Sequence, residues 1–285
     1  MNVKVLVCCH KPDVFAKDDT YFPIQVGKAL SRTDLGVAGD NTGDNISEKN
    51  QSYCELTGLY WAWKNLPEAD IYGLCHYRRY FDFHHQGQWG RALVGKTSSD
   101  FPSLDLSIPE DIIDSVVQGS IVVPKPLVYP FPLMYDYAAC HNSEDFRTLE
   151  KIIRSTQESR ISDAFFELFY RSNKLRHFNM FLANRKNFND YCEWVFPVLE
   201  EVERNTSIRD YSPAQKRIYG YMAERLFNVW LEGTGKNLIE KPVIWVNDNY
   251  HQDSWLHDSL RTVKRNMSNL LIRSKHGYWE AIEAR

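Results

Sequence analysis

The chain has 285 residues, long enough for one large domain with a real core. With 34 basic against 37 acidic residues and a formal charge of -3, it shows no global bias toward nucleic acid or acidic membranes, so any such contact must be local. No apolar run approaches the roughly 20 residues needed to cross a bilayer. The six cysteines, at 8, 9, 54, 75, 140 and 192, have neither C-x-x-C nor metal-finger spacing, and most sit in apolar runs. They read as small core residues of a protein in a reducing cytoplasm.

The first strand is expected at Val3 to Cys9, directly after Met1-Asn2 and with no charged-then-apolar leader pattern. It ends in His10-Lys11-Pro12 and so delivers a His and a Lys to a loop. Residues 21–35 are mixed, with a short helix expected over 25–31, followed by the turn-rich Gly39-Asp40-Asn41-Thr42-Gly43-Asp44-Asn45. Residues 53–65 have the apolar spacing of a largely buried helix, in which Tyr60, Trp61 and Trp63 are core and Glu55 and Lys64 are solvated charges. A central strand follows at 71–75, then a long functional loop or lid over 83–106.

A short helix is expected over 109–117, with Pro and two acids in its first turn, and a buried strand over 120–124. Helical pattern covers 135–155, 162–171, 186–202 and 218–232, the last stopped by Gly233 and Gly235. Strands are expected over 177–183 and 242–246. Residues 1–250 thus form a catalytic-size domain. Residues 251–285 form a basic amphipathic tail, in which Leu256, Leu260, Val263, Met267, Leu270 and Leu271 recur at helical spacing among Arg261, Lys264, Arg265, Arg273 and Lys275. Such a helix either lies on an anionic membrane surface or docks on the core.

The stretch Ile71-Tyr72-Gly73-Leu74-Cys75-His76-Tyr77-Arg78-Arg79-Tyr80-Phe81 concentrates the chemistry. An aliphatic strand running into a His and two arginines presents polar groups beyond its carboxyl end, where open α/β sheets bind ligands. The chain contains no D-x-D, the acid pair with which many nucleotide-sugar transferases hold a divalent metal. Two guanidiniums can stabilise a departing diphosphate by bidentate bonds without one. No G-x-G-x-x-G, P-loop, G-x-S-x-G or H-E-x-x-H is present, and the histidines lack metal-ligand spacing, so no metal or cofactor is expected.

These residues resemble a family of bacterial capsule, O-antigen and exopolysaccharide biosynthesis proteins long described only as a domain of unknown function. The resemblance rests on His10-Lys11, on Asp40 to Ile46 with Asn50, on Tyr53-Cys54-Glu55-Leu56-Thr57 and Tyr60-Trp61-Ala62-Trp63, and above all on His76-Tyr77-Arg78-Arg79-Tyr80-Phe81. Further matches are His141 with Asp145, Phe178-Asn179-Met180-Phe181, Tyr191-Cys192-Glu193-Trp194 and Gly220-Tyr221 with Glu224-Arg225-Leu226, so that it covers about residues 3–246. It implies an α/β, GT-A-like (Rossmann-like) fold and transfer of a sugar, in this family associated with UDP-galactofuranose, to a growing cell-surface polysaccharide or lipid-linked oligosaccharide. The expected enzyme is inverting, needs no metal and works in the cytoplasm or on the inner face of the membrane.

Roles follow as expectations. His10, Lys11, Asp44, Asn45 and Asn50 form the nucleotide pocket, and His76, Arg78 and Arg79 hold the diphosphate. His141, Asn179 and Met180 touch donor or acceptor sugar. Inversion needs one general base, for which Glu224 is first choice and Asp145 or Asp82 the reserves. Each has a plainer reading: Asp44 and Asn45 as turn formers, Glu224 as an ion-pair partner of Arg225, Asn179-Met180 as packing. The rival function is a non-catalytic sugar-nucleotide or glycan-binding subunit of a polysaccharide assembly complex.

Overall fold

A computed structural model describes residues 1–85 and 91–249, with 263, 264 and 267. Strand β1 (Val3–Cys9) alternates its side chains between two cores. Leu6 and Cys8 enter one and Val5, Val7 and Cys9 the other, which is why the strand reads as apolar from Val5 onward. It is followed by β2 (Tyr21–Gln25), β3 (Ala38–Gly39), α1 (Asn50–Tyr53), α2 (Leu56–Asn65), β4 (Ile71–His76) and β5 (Arg79–Phe81). Next come β6 (Leu93–Lys96), α3 (Glu110–Val117), β7 (Ile121–Pro124), β8 (Leu127–Val128), α4 (Leu133–Cys140), α5 (Ser143–Thr156) and α6 (Ser159–Arg171). The order closes with β9 (Lys174–Leu175), β10 (Phe181–Asn184), α7 (Arg185–Asn205), α8 (Ile218–Thr234), β11 (Leu238–Lys241) and β12 (Val243–Val246).

The main sheet has the order β11-β7-β10-β4-β1-β2-β3. Only β10 in that path runs antiparallel to its neighbours, pairing Phe181 with Leu74 on one side and Leu182 with Val122 on the other. Beyond His76 the chain turns back, and Arg79 pairs with His76 itself. This brings in a smaller leaf, in which β12 runs antiparallel to β5 and parallel to β6. The larger core lies between the sheet and α2, α5, α6, α7 and α8, and the smaller one under α3. Layers of this kind are the mixed α/β plan expected for the chain.

Gly73 marks how tightly the centre is packed. A Cβ there would stand 3.0 Å from both Leu182 Cδ1 and Val5 Cγ2 and 3.2 Å from the Phe181 carbonyl. Gly73→Ala is therefore expected to destabilise the fold by about 1–3 kcal/mol, the usual cost of overpacking, read as a lower urea midpoint at unchanged slope.

Several expected elements differ. The helix expected over 25–31 is one 3-10 turn, Lys28–Leu30, behind strand β2. Five residues with an internal proline carry no strand period, but β1 supplies the ladder that makes them one. The helix expected over 53–65 is split at Cys54, whose φ of 53° a continuous helix does not permit. Helical pattern over 135–155 is broken at His141, and the Asn142 side chain caps α5 by accepting from Glu144 N at 3.0 Å. The strand expected from 177 starts only at Phe181, because Phe178 and Asn179 are left-handed (φ 76° and 51°).

The expected 83–106 loop contains β6 and a 3-10 turn, Phe101–Ser103. Cys8, Cys9, Cys75 and Cys192 are buried and free, as core cysteines should be, whereas Cys54 is half-buried and Cys140 exposed. Among the described residues no helix is long and apolar enough to cross a membrane. The amphipathic tail lies outside the described residues apart from Val263, Lys264 and Met267.

Candidate active site

The carboxyl ends of β1 and β4 lie side by side, with Cys8 in register with His76, and both open into a cleft of about 880 Å³. This is the edge at which open α/β sheets bind ligands, since the loops that follow the strands diverge there. His10, Asn50, His76, Arg78, Arg79 and Glu224 all line it, six of the residues expected from the sequence. The same walls carry Glu55, Lys216, Arg217, Tyr221 and Trp245. Four cations thus face two carboxylates in one concavity.

The cations differ in how far they are committed. Arg78 gives both Nε and Nη2 to Asp13 Oδ2, each at 2.7 Å, and is partly neutralised there. Arg217 donates Nε to Cys54 Sγ at 3.3 Å and stands over the Tyr221 ring, 5.4 Å from its centroid. Arg79 is the exception. Its Nε is buried with no hydrogen-bond partner among the described residues, and its guanidinium is held by the faces of Phe178 and Trp245, at 4.6 and 5.7 Å. Burial lowers its pKa, while Glu55 and then Glu224 pull it back up. A partly desolvated guanidinium with an unused buried donor is a site for an anion.

Desolvation is the largest influence on both cleft histidines and lowers both pKa values; for His10, whose side chain is largely exposed, the Lys11 charge adds to it, whereas for buried His76 Glu55 opposes it. His76 Nε2 lies 2.6 Å from the Phe178 carbonyl, so Nε2 carries the hydrogen and Nδ1 is left an acceptor. In that state His76 has no donor for a phosphate oxygen. His76 thus lines the cleft and holds the Phe178 backbone.

That backbone is the hub of the site. Phe178 N–H donates to Glu224 Oε1 at 2.6 Å, its carbonyl takes the His76 hydrogen, its ring covers Arg79, and Asn179 Nδ2 reaches Glu55 Oε1 at 2.7 Å. A left-handed phenylalanine is strained and persists only where surrounding bonds over-determine it, as these do. Glu224 also accepts from His177 Nδ1 at 3.2 Å, and His177 Nε2 is 2.6 Å from the Tyr129 hydroxyl. Burial alone would raise the Glu224 pKa, but His177, Arg225 and the Phe178 amide outweigh it and hold it down at about 2. Arg225, the expected ion-pair partner, is the more distant at 3.9 Å.

Glu55 is the residue the sequence reading misplaced. The expected continuous helix would turn it to solvent; the break at Cys54 turns it into the cleft. Asn50 secures that break by donating Nδ2 to the Cys54 carbonyl at 2.7 Å and to Thr57 Oγ1 at 3.1 Å. The only signal in the sequence is a short polar residue four positions before a cysteine. Lys216 and Arg217 arrive on the 3-10 turn Gln215–Arg217 ahead of α8, and nothing in their local pattern marks them.

The other expected site residues are not among those lining the cleft. Lys11 is exposed in the bend after β1. Asp44 accepts from Tyr60 Oη at 3.2 Å and its amide donates to Asn65, while Asn45 accepts from Ser47 N at 3.2 Å, so both act as turn formers. Met180 is fully buried in the smaller core, and buried Asn179 acts through Glu55. His141 lies against the far side of Tyr221, centroids 4.4 Å apart, with its pKa lowered to about 4 mainly by burial. Asp145, its pKa raised by burial, accepts from the Tyr211 hydroxyl at 2.9 Å, and Asp82 stands 3.5 Å from His85. No group of three or more His, Cys, Asp or Glu among the described residues is arranged to hold a metal ion.

No curated protein matches the chain. Among solved structures it is similar to WbbM, a bifunctional glycosyltransferase in its apo form, at 28% identity with a TM-score of 0.74. That match covers 89% of this chain but 47% of the WbbM chain, so this chain spans about half of WbbM's length. The mostly parallel sheet, with β10 antiparallel within its main path, and the cleft at the strand ends are a GT-A-like glycosyltransferase fold. The model of the family described as a domain of unknown function (DUF4422) matches residues 4–236, most of the sheet and every wall of the cleft but Trp245 and Asn247, and the chain belongs to that family.

Proposed function

We propose that the chain is a glycosyltransferase whose cleft binds a UDP-sugar and passes the sugar, with inversion, to a glycan or lipid-linked glycan acceptor. The observation that carries this reading is Arg79, a half-buried arginine with a buried, unused Nε at the carboxyl end of the central strand, in a cleft that also holds two carboxylates. A leaving diphosphate develops negative charge, and a guanidinium already desolvated and oriented by two aromatic faces stabilises that charge without reorganising. Arg78, Lys216, Arg217 and His10 surround the same volume and supply the remaining contacts to the nucleotide and its phosphates. The guanidiniums take the part that acids and a divalent metal take in other transferases. One of the two carboxylates, Glu55 or Glu224, accepts the proton of the attacking hydroxyl. Galactofuranose as the donor sugar, and a cell-surface polysaccharide as product, follow from the resemblance of the His76 to Phe81 motif.

The test is to incubate the protein with UDP-galactofuranose or other UDP-sugars, with and without a galactoside acceptor, in EDTA. UDP release that requires acceptor and survives EDTA is the expected result. Saturable UDP binding without transfer to any acceptor would instead establish a binding subunit. Transfer that stops in EDTA and returns with Mn²⁺ would overturn the metal-free chemistry while leaving the transferase.

A further inference from the structure

Both cleft carboxylates are candidates for the base, but their surroundings differ. Glu224 has both oxygens engaged: Oε1 with the Phe178 amide at 2.6 Å, and Oε2 with His177 at 3.2 Å, which is itself tied to Tyr129 at 2.6 Å. Glu55 has one oxygen engaged, Oε1 with Asn179 Nδ2 at 2.7 Å. Its other oxygen has no hydrogen-bond partner among the described residues, and the side chain lines the cleft beside His76 and Arg79.

We propose that Glu55, through its free oxygen, is the general base, and that Tyr129, His177 and Glu224 are a positioning relay that keeps the Phe178–Asn179 turn, and so Glu55, in place. This rests on the cleft's being a transfer site. The acceptor hydroxyl gives its proton to Glu55 as its oxygen forms the new bond to the anomeric carbon. The bond from that carbon to the diphosphate oxygen breaks, its electron pair leaves with UDP, and Glu55 later returns the proton to water. A carboxylate held at about 2, as Glu224 is, has little affinity for the proton it would have to take, whereas a carboxylate with an oxygen open to the cleft can approach the hydroxyl.

Glu55→Gln tests this, because glutamine keeps the shape and can still accept from Asn179. The expected result is a kcat lower by roughly 10²–10⁴-fold with UDP affinity, measured by titration calorimetry, unchanged. Formate is expected to restore part of the turnover of Glu55→Ala, as a small carboxylate replacing a missing base. Glu224→Gln and His177→Phe are expected to raise the acceptor KM and to lower kcat by no more than about tenfold, the mark of lost positioning rather than a lost base. Turnover that survives Glu55→Gln while the wild type is active overturns the base assignment alone. Loss of UDP binding in Glu55→Gln also overturns it, by making Glu55 part of the donor pocket. A wild type that binds UDP and never transfers overturns the transferase reading, and this assignment with it.

Discussion

Arg79→Met is expected to lower kcat for sugar transfer by roughly 10²–10³-fold, the loss seen when a preorganised charge-stabilising donor is removed from a transition state. The physical case is that Arg79 is held in the cleft by ring faces rather than by a carboxylate partner: Phe178 and Trp245 stand 4.6 and 5.7 Å from its guanidinium carbon, and its buried Nε is unpartnered. A charge kept in that state is costly to the fold, so the same substitution should leave thermal stability unchanged or raise it, methionine filling the space without an unpaired ion. Falling activity with steady or rising Tm would separate a functional arginine from a structural one. Arg79→Lys should recover little, since an ammonium keeps the charge but loses the planar fork that meets two phosphate oxygens. If Arg79→Met instead melts well below the wild type with kcat within about threefold of it, the guanidinium belongs to the packing and the anion site lies elsewhere.

Glu224 has the second large effect, on stability. Its pKa falls from an ordinary value of 4.5 to about 2 in the fold, because the His177, Arg225 and Phe178 contacts outweigh a burial that alone would raise it. The stabilisation this represents is fully present above the unfolded value and is lost as pH falls through the folded one. The window is therefore about 4.5 down to 2, and the amount is on the order of 3 kcal/mol. Urea unfolding at a series of pH values should show the wild type losing about that much across the window, and Glu224→Gln losing less by a similar amount. Equal acid sensitivity in the two proteins would mean that the His177 and Phe178 contacts do not set the Glu224 pKa. Because Glu224 anchors the Phe178 amide and His76 anchors the carbonyl of the same residue, the loss should appear first as a loosened 178–179 turn.

Much of the scaffold was legible because its signals are local. A short apolar run ending at a turn signal reads as an interior strand, and Val5–Cys9, buried on both faces, is the interior part of β1. Period and caps likewise placed α3, α6, α7 and α8 to within a few residues. The candidate cleft was legible where one short segment carries unusual residues: His76, Arg78 and Arg79, a His and two arginines at the end of a buried strand, all line it. Elements whose identity depends on a partner were not. Strand β5, inside that same motif, exists because β12 pairs with it, and β12 is more than 160 positions away along the chain.

The division falls between composition and contact. Residue types and spacing along the chain settle that this is an α/β domain and that a basic cluster ends its central strand, since both are properties of short segments. Which acids face that cluster, and which of Arg78 and Arg79 is paired with a carboxylate, depend on where distant segments meet. Glu55 enters the cleft because a left-handed Cys54 breaks a helix, and it is met there by Asn179 from 124 residues further on. Asp13 neutralises Arg78 across 65 residues and spares Arg79, its neighbour. Such pairings are chosen by the packing of the whole chain, whose free energy is spread over many weak contacts, and no local pattern records them.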